Sequence, residues 1–141
     1  MIRREASAEW RGKLQDGRGS MRTGSGGCEG PYSFSSRFEN GKGTNPEELI
    51  GAAHAGCFSM ALSGILAKAG FSPRSIKTRA SVEMAKEGEG YRIASVTLDT
   101  EAEVAGLEEG LFVQHAQDAK DNCPVSQALA GVEIRLNARL L

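Results

Sequence analysis

The residues best able to do chemistry in this sequence are three cysteines, Cys28, Cys57 and Cys123. Cys57 lies in His54-Ala55-Gly56-Cys57-Phe58, within a long uncharged stretch. A thiol there stays protonated and acts as a small hydrophobe, unless a cation sits beside it and a further group fixes that cation. Arg37, in Ser35-Ser36-Arg37-Phe38-Glu39, and Glu47 are candidates for such a pair. Their plainer readings are a solvated loop arginine and a glutamate offsetting a helix dipole. Cys123 directly precedes Pro124 at the start of a helical turn. Backbone N–H groups and the helix dipole lower a thiol's pKa in that setting, although a packing role in a loop is the competing reading. Cys28, in Ser25-Gly26-Gly27-Cys28-Glu29-Gly30, reads as an exposed bystander.

Two other uses of these groups are weaker. His54 and Cys57 are three residues apart and share a helix face, and Cys123 could add a third metal ligand. Zinc needs four ligands, or three and a water, yet the chain has no C-x-x-C and its second histidine, His115, stands alone. Neither a metal nor a cofactor is expected. A thiol-dependent hydrolase with Cys57 as nucleophile and His54 as base is the enzymatic alternative. Groups at i and i+3 of one buried helix leave little room for a substrate carbonyl between them, and no oxyanion loop is evident. A non-catalytic binding or stress protein with structural cysteines is the third class.

The elements that must position these residues show two periods. Ala6, Ala8, Trp10, Gly12 and Leu14 alternate with polar neighbours, as do Ile76 to Met84, Ala94 to Val104 and Val132 to Leu140. This pattern predicts antiparallel strands with one wet and one packed face. Glu87-Gly88-Glu89-Gly90 reads as a hairpin loop, and shorter strand-like pieces occur near Met21 and at Tyr32-Ser33-Phe34. Thr44-Asn45-Pro46-Glu47-Glu48 predicts a helix start, with Asn45 as cap and Pro46 in the first turn; the helix runs to about Ala69, before Gly70. Leu49 to Ala67 contains no Asp, Glu, Lys or Arg, so the helix is buried in protein or crosses a membrane. Its marginal length, its histidine and the amphipathic strands that need cover favour burial. A second helix spans about Leu107 to Lys120, and Pro124 opens a shorter one that ends at Gly131. The expected class is α+β, in one domain over residues 1–141.

Composition bounds the rest. The 141 residues suit a single domain, and 40% hydrophobic with 25% charged residues is globular rather than disordered. Seventeen Lys and Arg against 18 Asp and Glu give a net charge of -1, which argues against a nucleic-acid partner held by a basic surface. Met1-Ile2-Arg3-Arg4-Glu5 lacks an apolar signal region, so a cytoplasmic location is expected, where three cysteines are not a disulfide scaffold.

Gly43-Thr44-Asn45-Pro46-Glu47-Glu48-Leu49-Ile50-Gly51-Ala52-Ala53-His54-Ala55-Gly56-Cys57-Phe58-Ser59-Met60-Ala61-Leu62 strongly resembles the helix motif of the osmotically inducible protein C (OsmC) family, which shares a superfamily with the organic hydroperoxide resistance proteins. Asn122-Cys123-Pro124-Val125-Ser126 resembles the family's second cysteine motif, and Pro31-Tyr32-Ser33-Phe34-Ser35-Ser36-Arg37-Phe38 its arginine loop. The resemblance covers essentially the whole chain. It implies an OsmC-like α+β fold, with antiparallel sheets wrapped around central helices in an intertwined homodimer and active sites at the subunit interface. It also implies a thiol peroxidase that reduces organic hydroperoxides, and less efficiently hydrogen peroxide, in oxidative or osmotic stress defence. On that reading Cys57 is the peroxidatic cysteine and Cys123 the resolving one, joined as a Cys57–Cys123 disulfide on oxidation. Arg37 holds the thiolate and Glu47 orients Arg37. The reductant implied is a dithiol, in some family members a lipoylated protein. Apolar residues near Cys57, such as Phe58 and Met60, would suit a hydrophobic peroxide. Cys28 belongs to none of the motifs, and Gly56 stands where many relatives carry alanine.

Overall fold

The computed structural model describes residues 1–141 and shows an α+β chain with two three-stranded sheets and four helices. It divides into two compact units, Met1–Leu49 and Ile50–Leu141.

In the first unit, β1 (Ala6–Arg11), β2 (Arg18–Thr23) and β3 (Glu29–Tyr32) form an antiparallel meander. Trp10, Gly19 and Tyr32 lie opposite one another across the three strands, and the two rings meet with centroids 5.3 Å apart. Gly19 makes that possible, because a Cβ there would stand 2.5 Å from the Tyr32 ring and 2.6 Å from the Trp10 ring. The strand-like reading of Tyr32-Ser33-Phe34 holds only to Tyr32. Ser33 instead caps a short helix, α1 (Phe34–Phe38). Its hydroxyl accepts from the Ser36 N–H (3.1 Å), and the Ser36 hydroxyl accepts from the Ser33 N–H (2.8 Å). A serine in place of the usual Glu or Gln three residues after the cap hides this box from a sequence reading.

The long helix α2 (Pro46–Lys68) starts as expected: Asn45 Oδ1 accepts from the Glu48 N–H at 2.8 Å, and Glu47 and Glu48 occupy the first turn. In the second unit, its Gly51, His54, Phe58, Leu62 and Leu66 are buried, recurring every three to four residues. Strands β4 (Pro73–Glu87) and β5 (Gly90–Val104) form the expected hairpin, turning through Gly88-Glu89. Ser59 on α2 donates to Thr78 Oγ1 (2.7 Å), which lies 3.0 Å from Thr100 Oγ1, so hydroxyls as well as apolar contacts tie the helix to β4 and β5. Helices α3 (Glu109–Asn122) and α4 (Pro124–Ala128) follow, and β6 (Glu133–Leu140) completes the sheet. The core joins Phe58, Leu62 and Leu66 of α2 to Val96, Leu98 and Ala102 of β5, and to Phe112, Ala116 and Ala119 of α3.

One expectation is corrected. β6 pairs with β5 in parallel, Val96 beside Ile134 and Leu98 beside Leu136, not antiparallel. Period-two alternation records which face a residue takes and carries no information on strand direction. Direction follows from the connection: two helices between β5 and β6 make a crossover of the kind parallel neighbours require.

The opposite stripe of α2, comprising Ala53, Gly56, Met60, Gly64 and Ala67, is exposed, and Met60 retains 80% of its accessible surface. By length and composition α2 is apolar enough to cross a bilayer, yet its inner stripe belongs to the protein core. Leu62, fully buried at the centre of that stripe, anchors the helix. Leu62→Ala should lower unfolding free energy by about 2–5 kcal/mol, measured by denaturant titration, because the sheet behind it cannot collapse into the space.

Candidate active site

Arg37 sits in the last turn of α1, and the fold fixes it from two directions. The Ser36 hydroxyl donates to the Thr44 carbonyl at 2.7 Å, and Asn45 Nδ2 donates to the Ser36 carbonyl at 3.1 Å, which ties α1 to the start of α2. The Thr44 N–H reaches the Pro31 carbonyl at 2.8 Å. Gly43 allows this closure: its φ is +117°, and a Cβ there would lie 2.7 Å from the Pro31 oxygen. Within that frame Arg37 Nε donates to Glu47 Oε1 at 2.8 Å. The Arg37 side chain is 38% exposed and that of Glu47 9%, while Glu47 Oε2 is buried with no partner. An ionised carboxylate so buried is held by its charged hydrogen bond to arginine. The Arg37 guanidinium also lies 5.1 Å from the Phe38 ring centroid. A cavity of about 180 Å³ opens beside it, lined by Trp10, Leu14, Tyr32, Phe34, Arg37 and Phe38. The pairing of Arg37 with Glu47 is the one the sequence suggested.

In the second unit, Cys57 of α2 meets Cys123 at the junction of α3 and α4. Their sulfurs are 3.0 Å apart and joined by an S–H···S hydrogen bond. Cys57 is half-buried and Cys123 fully buried, and both are free thiols. Their environments push the thiols in opposite directions. Burial raises the pKa of Cys57, and the hydrogen bond with Cys123 raises it further. Burial would also raise that of Cys123, but its hydrogen bonds with Cys57, Ser126 and the Val125 backbone outweigh it and hold the thiol below its ordinary value. Cys123 caps α4 with its sulfur, which accepts from the Ser126 N–H at 3.4 Å and from the Ser126 hydroxyl at 3.6 Å. The lowering anticipated from the helical turn after Cys123 is therefore present, and its agents are specific hydrogen bonds.

His54 is fully buried one turn before Cys57, but it is not paired with that thiol as a hydrolytic base would be. Its Nε2 lies 2.7 Å from the Ser126 hydroxyl oxygen, and its Nδ1 has no partner. Burial lowers its pKa, so the ring is neutral near neutrality. Ser126 lies within the second cysteine motif, which assigns it no role. Its place three residues after a helix-capping cysteine was the available signal. Phe58 belongs to the core and Met60 to the exposed stripe, so the apolar cavity beside Arg37 replaces them as a setting for an apolar ligand. Cys28 is exposed in the loop between β2 and β3. No group of three or more His, Cys, Asp or Glu side chains converges to hold a metal ion.

Two thiols in contact on an α+β scaffold, with pKa values pushed in opposite directions, have a geometry suited to thiol–disulfide chemistry. The family of OsmC-like proteins matches residues 39–137, and the chain belongs to it. It is 48% identical over 140 residues to the Peroxiredoxin OsmC of Escherichia coli, covering 99% of this chain and 97% of that protein. It is 35% identical over 105 residues to the Organic hydroperoxide resistance protein-like 1 of Staphylococcus saprophyticus, covering 71% of this chain and 72% of the relative. Among solved structures, the fold is shared with the organic hydroperoxide resistance protein OhrB of Bacillus subtilis, with a TM-score of 0.74 at 23% identity, covering 95% of this chain and 97% of that one. An OsmC-like protein of Vibrio cholerae gives a TM-score of 0.78 at 17% identity, covering 98% and 99%.

The buried neutral His54 makes stability depend on pH. Its folded pKa lies below the ordinary 6.5, so the unfolded chain binds the extra proton first. This contribution is full above 6.5 and is lost as pH falls from there toward the folded pKa. Denaturant midpoints measured across that range should fall more steeply for the wild-type chain than for His54→Gln, which has no titrating ring.

Proposed function

We propose that this chain is a thiol-dependent peroxidase that reduces organic hydroperoxides, and less efficiently hydrogen peroxide. The single observation that carries the reading is the 3.0 Å approach of Cys57 to Cys123, which needs only about 1 Å of closure to become a disulfide. The peroxidase names of the relatives support it, as does the match over nearly the whole chain.

Cys57, the more accessible thiol, is the peroxidatic residue. Its thiolate attacks the outer peroxide oxygen, the O–O bond breaks, and the alkoxide takes a proton and leaves as an alcohol. Cys57 is left as a sulfenic acid. Cys123 then attacks the Cys57 sulfur, the S–O bond breaks, and the departing hydroxide takes a proton to become water. A dithiol, free or carried as a lipoyl group on a protein, reduces the disulfide.

Cys57 needs a cation, because burial holds its proton on. Arg37 takes that role, stabilising the thiolate and the charge that develops on the leaving oxygen. Its ion pair engages Nε and leaves the terminal nitrogens for sulfur and oxygen, while Glu47 fixes its orientation. The aromatic lining beside Arg37 favours a hydroperoxide with a hydrophobic tail over hydrogen peroxide.

The working form is a homodimer acting as one OsmC-like domain per chain, with its active sites at the subunit interface, in the cytoplasm and in defence against oxidative or osmotic stress. The exposed stripe of Ala53, Gly56, Met60, Gly64 and Ala67 supports this, since small side chains admit close approach of a second apolar helix.

Turnover, disulfide mapping and thermal melting test the reading. Cumene hydroperoxide with dihydrolipoamide should be turned over with one dithiol consumed per peroxide, and peptide mapping should find the Cys57–Cys123 bridge within one chain; a stable Cys57 sulfenic acid beside a free Cys123 would refute the two-cysteine cycle. In the same assay Arg37→Ala should lose roughly 10²–10³-fold in rate while remaining folded. The melting temperature should rise with protein concentration, because dissociation and unfolding are coupled in an obligate dimer. A folded, active monomer at high dilution would contradict the dimer.

A further inference from the structure

The proposed peroxide chemistry gives His54 and Ser126 no task, yet both are buried and hydrogen-bonded in a chain that ends on the resolving thiol. His54 is fully buried on a helix stretch that carries no charged residue from Leu49 to Ala67. Ser126 is buried on α4, and no charged residue occurs between Cys123 and Ala130. Charge on the Cys123 sulfur must therefore be held there by hydrogen bonds. Ser126 supplies two of them, from its N–H and its hydroxyl.

A hydroxyl has one proton to give. If Ser126 donates it to Cys123, the 2.7 Å contact with His54 Nε2 requires Nε2–H to be the donor and the serine oxygen the acceptor. That fixes the ring as the Nε2–H tautomer and makes Nδ1 the unprotonated nitrogen, the atom the structure leaves without a partner. The reverse tautomer would bury an unpaired N–H and turn the serine proton away from sulfur.

We propose that His54 and Ser126 form a positioning relay, His54 Nε2–H to Ser126 Oγ–H to Cys123 Sγ, that holds Cys123 as the standing thiolate of the pair. The inference rests on the two-cysteine reading above and adds a direction to it. In closure, the Cys123 proton has already gone to solvent, and the thiolate attacks the Cys57 sulfur as hydroxide departs. In reduction, the incoming dithiol can reach half-buried Cys57 but not fully buried Cys123. It bonds to the Cys57 sulfur, the Cys57–Cys123 bond breaks, and the electron pair leaves on Cys123. A leaving thiolate already stabilised by donors departs faster. The mixed disulfide therefore forms on Cys57 alone.

The relay is tested without relying on peroxidase activity. In the full-length Cys28→Ser/Cys57→Ser chain, Cys123 is the one remaining thiol, and its ionisation is followed by ultraviolet thiolate absorbance against pH. Adding Ser126→Ala should cut the thiolate fraction at neutral pH about tenfold, the effect of losing one charge-assisted hydrogen bond. Ser126→Thr, which keeps the hydroxyl, should restore it, whereas the equally branched Ser126→Val should not. With Cys57 present, disulfide closure driven by one equivalent of diamide should slow about tenfold in Ser126→Val and recover in Ser126→Thr. Nitrogen NMR of the ring should report the Nε2–H tautomer at His54. An unchanged Cys123 titration in Ser126→Val, or an Nδ1–H tautomer, would overturn the relay. Failure of hydroperoxide turnover with the titration behaving as described would instead refute the peroxidase reading and leave the relay standing.

Discussion

A sulfur taken out of water keeps its proton unless donors or a cation replace the lost solvation, and Cys57 and Cys123 are both at least half removed from water. The two solve the problem in different ways. Cys123 has its donors within a few residues, because it ends one helix and caps the next, so the backbone that must turn there also presents an N–H and a hydroxyl to the sulfur. Cys57 is in mid-helix, where every nearby backbone N–H is already committed to the helix ladder. Burial and its contact with Cys123 push its pKa upward, and a backbone hydrogen bond from Val125 offsets them only in part. The contact thus sets up two unlike thiols, with the pKa of Cys57 raised and that of Cys123 lowered.

The proposed cycle draws its positive charge from Arg37. A lone arginine on a short helix would sample many rotamers, but Glu47 restrains it from a well-buried position at the start of α2. The serine box of α1, the Ser36–Thr44 and Asn45–Ser36 hydrogen bonds and the positive φ of Gly43 all act on the same few residues. Such local over-determination around one ion pair is more than a surface loop needs. It fits a guanidinium whose aim matters.

The second unit explains why the thiol pair can be so close. β5 is buried in its second half, from Ser95 to Val104, where it is the central strand between β4 and β6 and α2 with α3 packs against it. The crossover that makes β6 parallel also brings the α3–α4 junction, and with it Cys123, onto α2. Strand direction and sulfur contact are consequences of the same connection.

Much of this was written in the chain itself. Local rules sufficed for the start of α2, since Asn45, Pro46 and two glutamates satisfy orphan donors and the dipole within one turn. The β4–β5 hairpin likewise needs only alternation and a glycine turn. The sequence also named Cys57, Cys123, Arg37 and Glu47, and their roles came from motif resemblance, because no local pattern tells a buried nucleophile from a buried hydrophobe. What tertiary structure decided was every relation between distant segments. The direction of β6 depends on a crossover, and the acidity order of the thiols depends on residues 66 positions apart meeting at 3.0 Å. The partner of His54 is 72 residues away, and within its own helix nothing marks it as bound to a serine on α4. Short-range hydrogen bonding and periodicity can be read along a chain; which donor reaches which buried sulfur is fixed only when the helices pack.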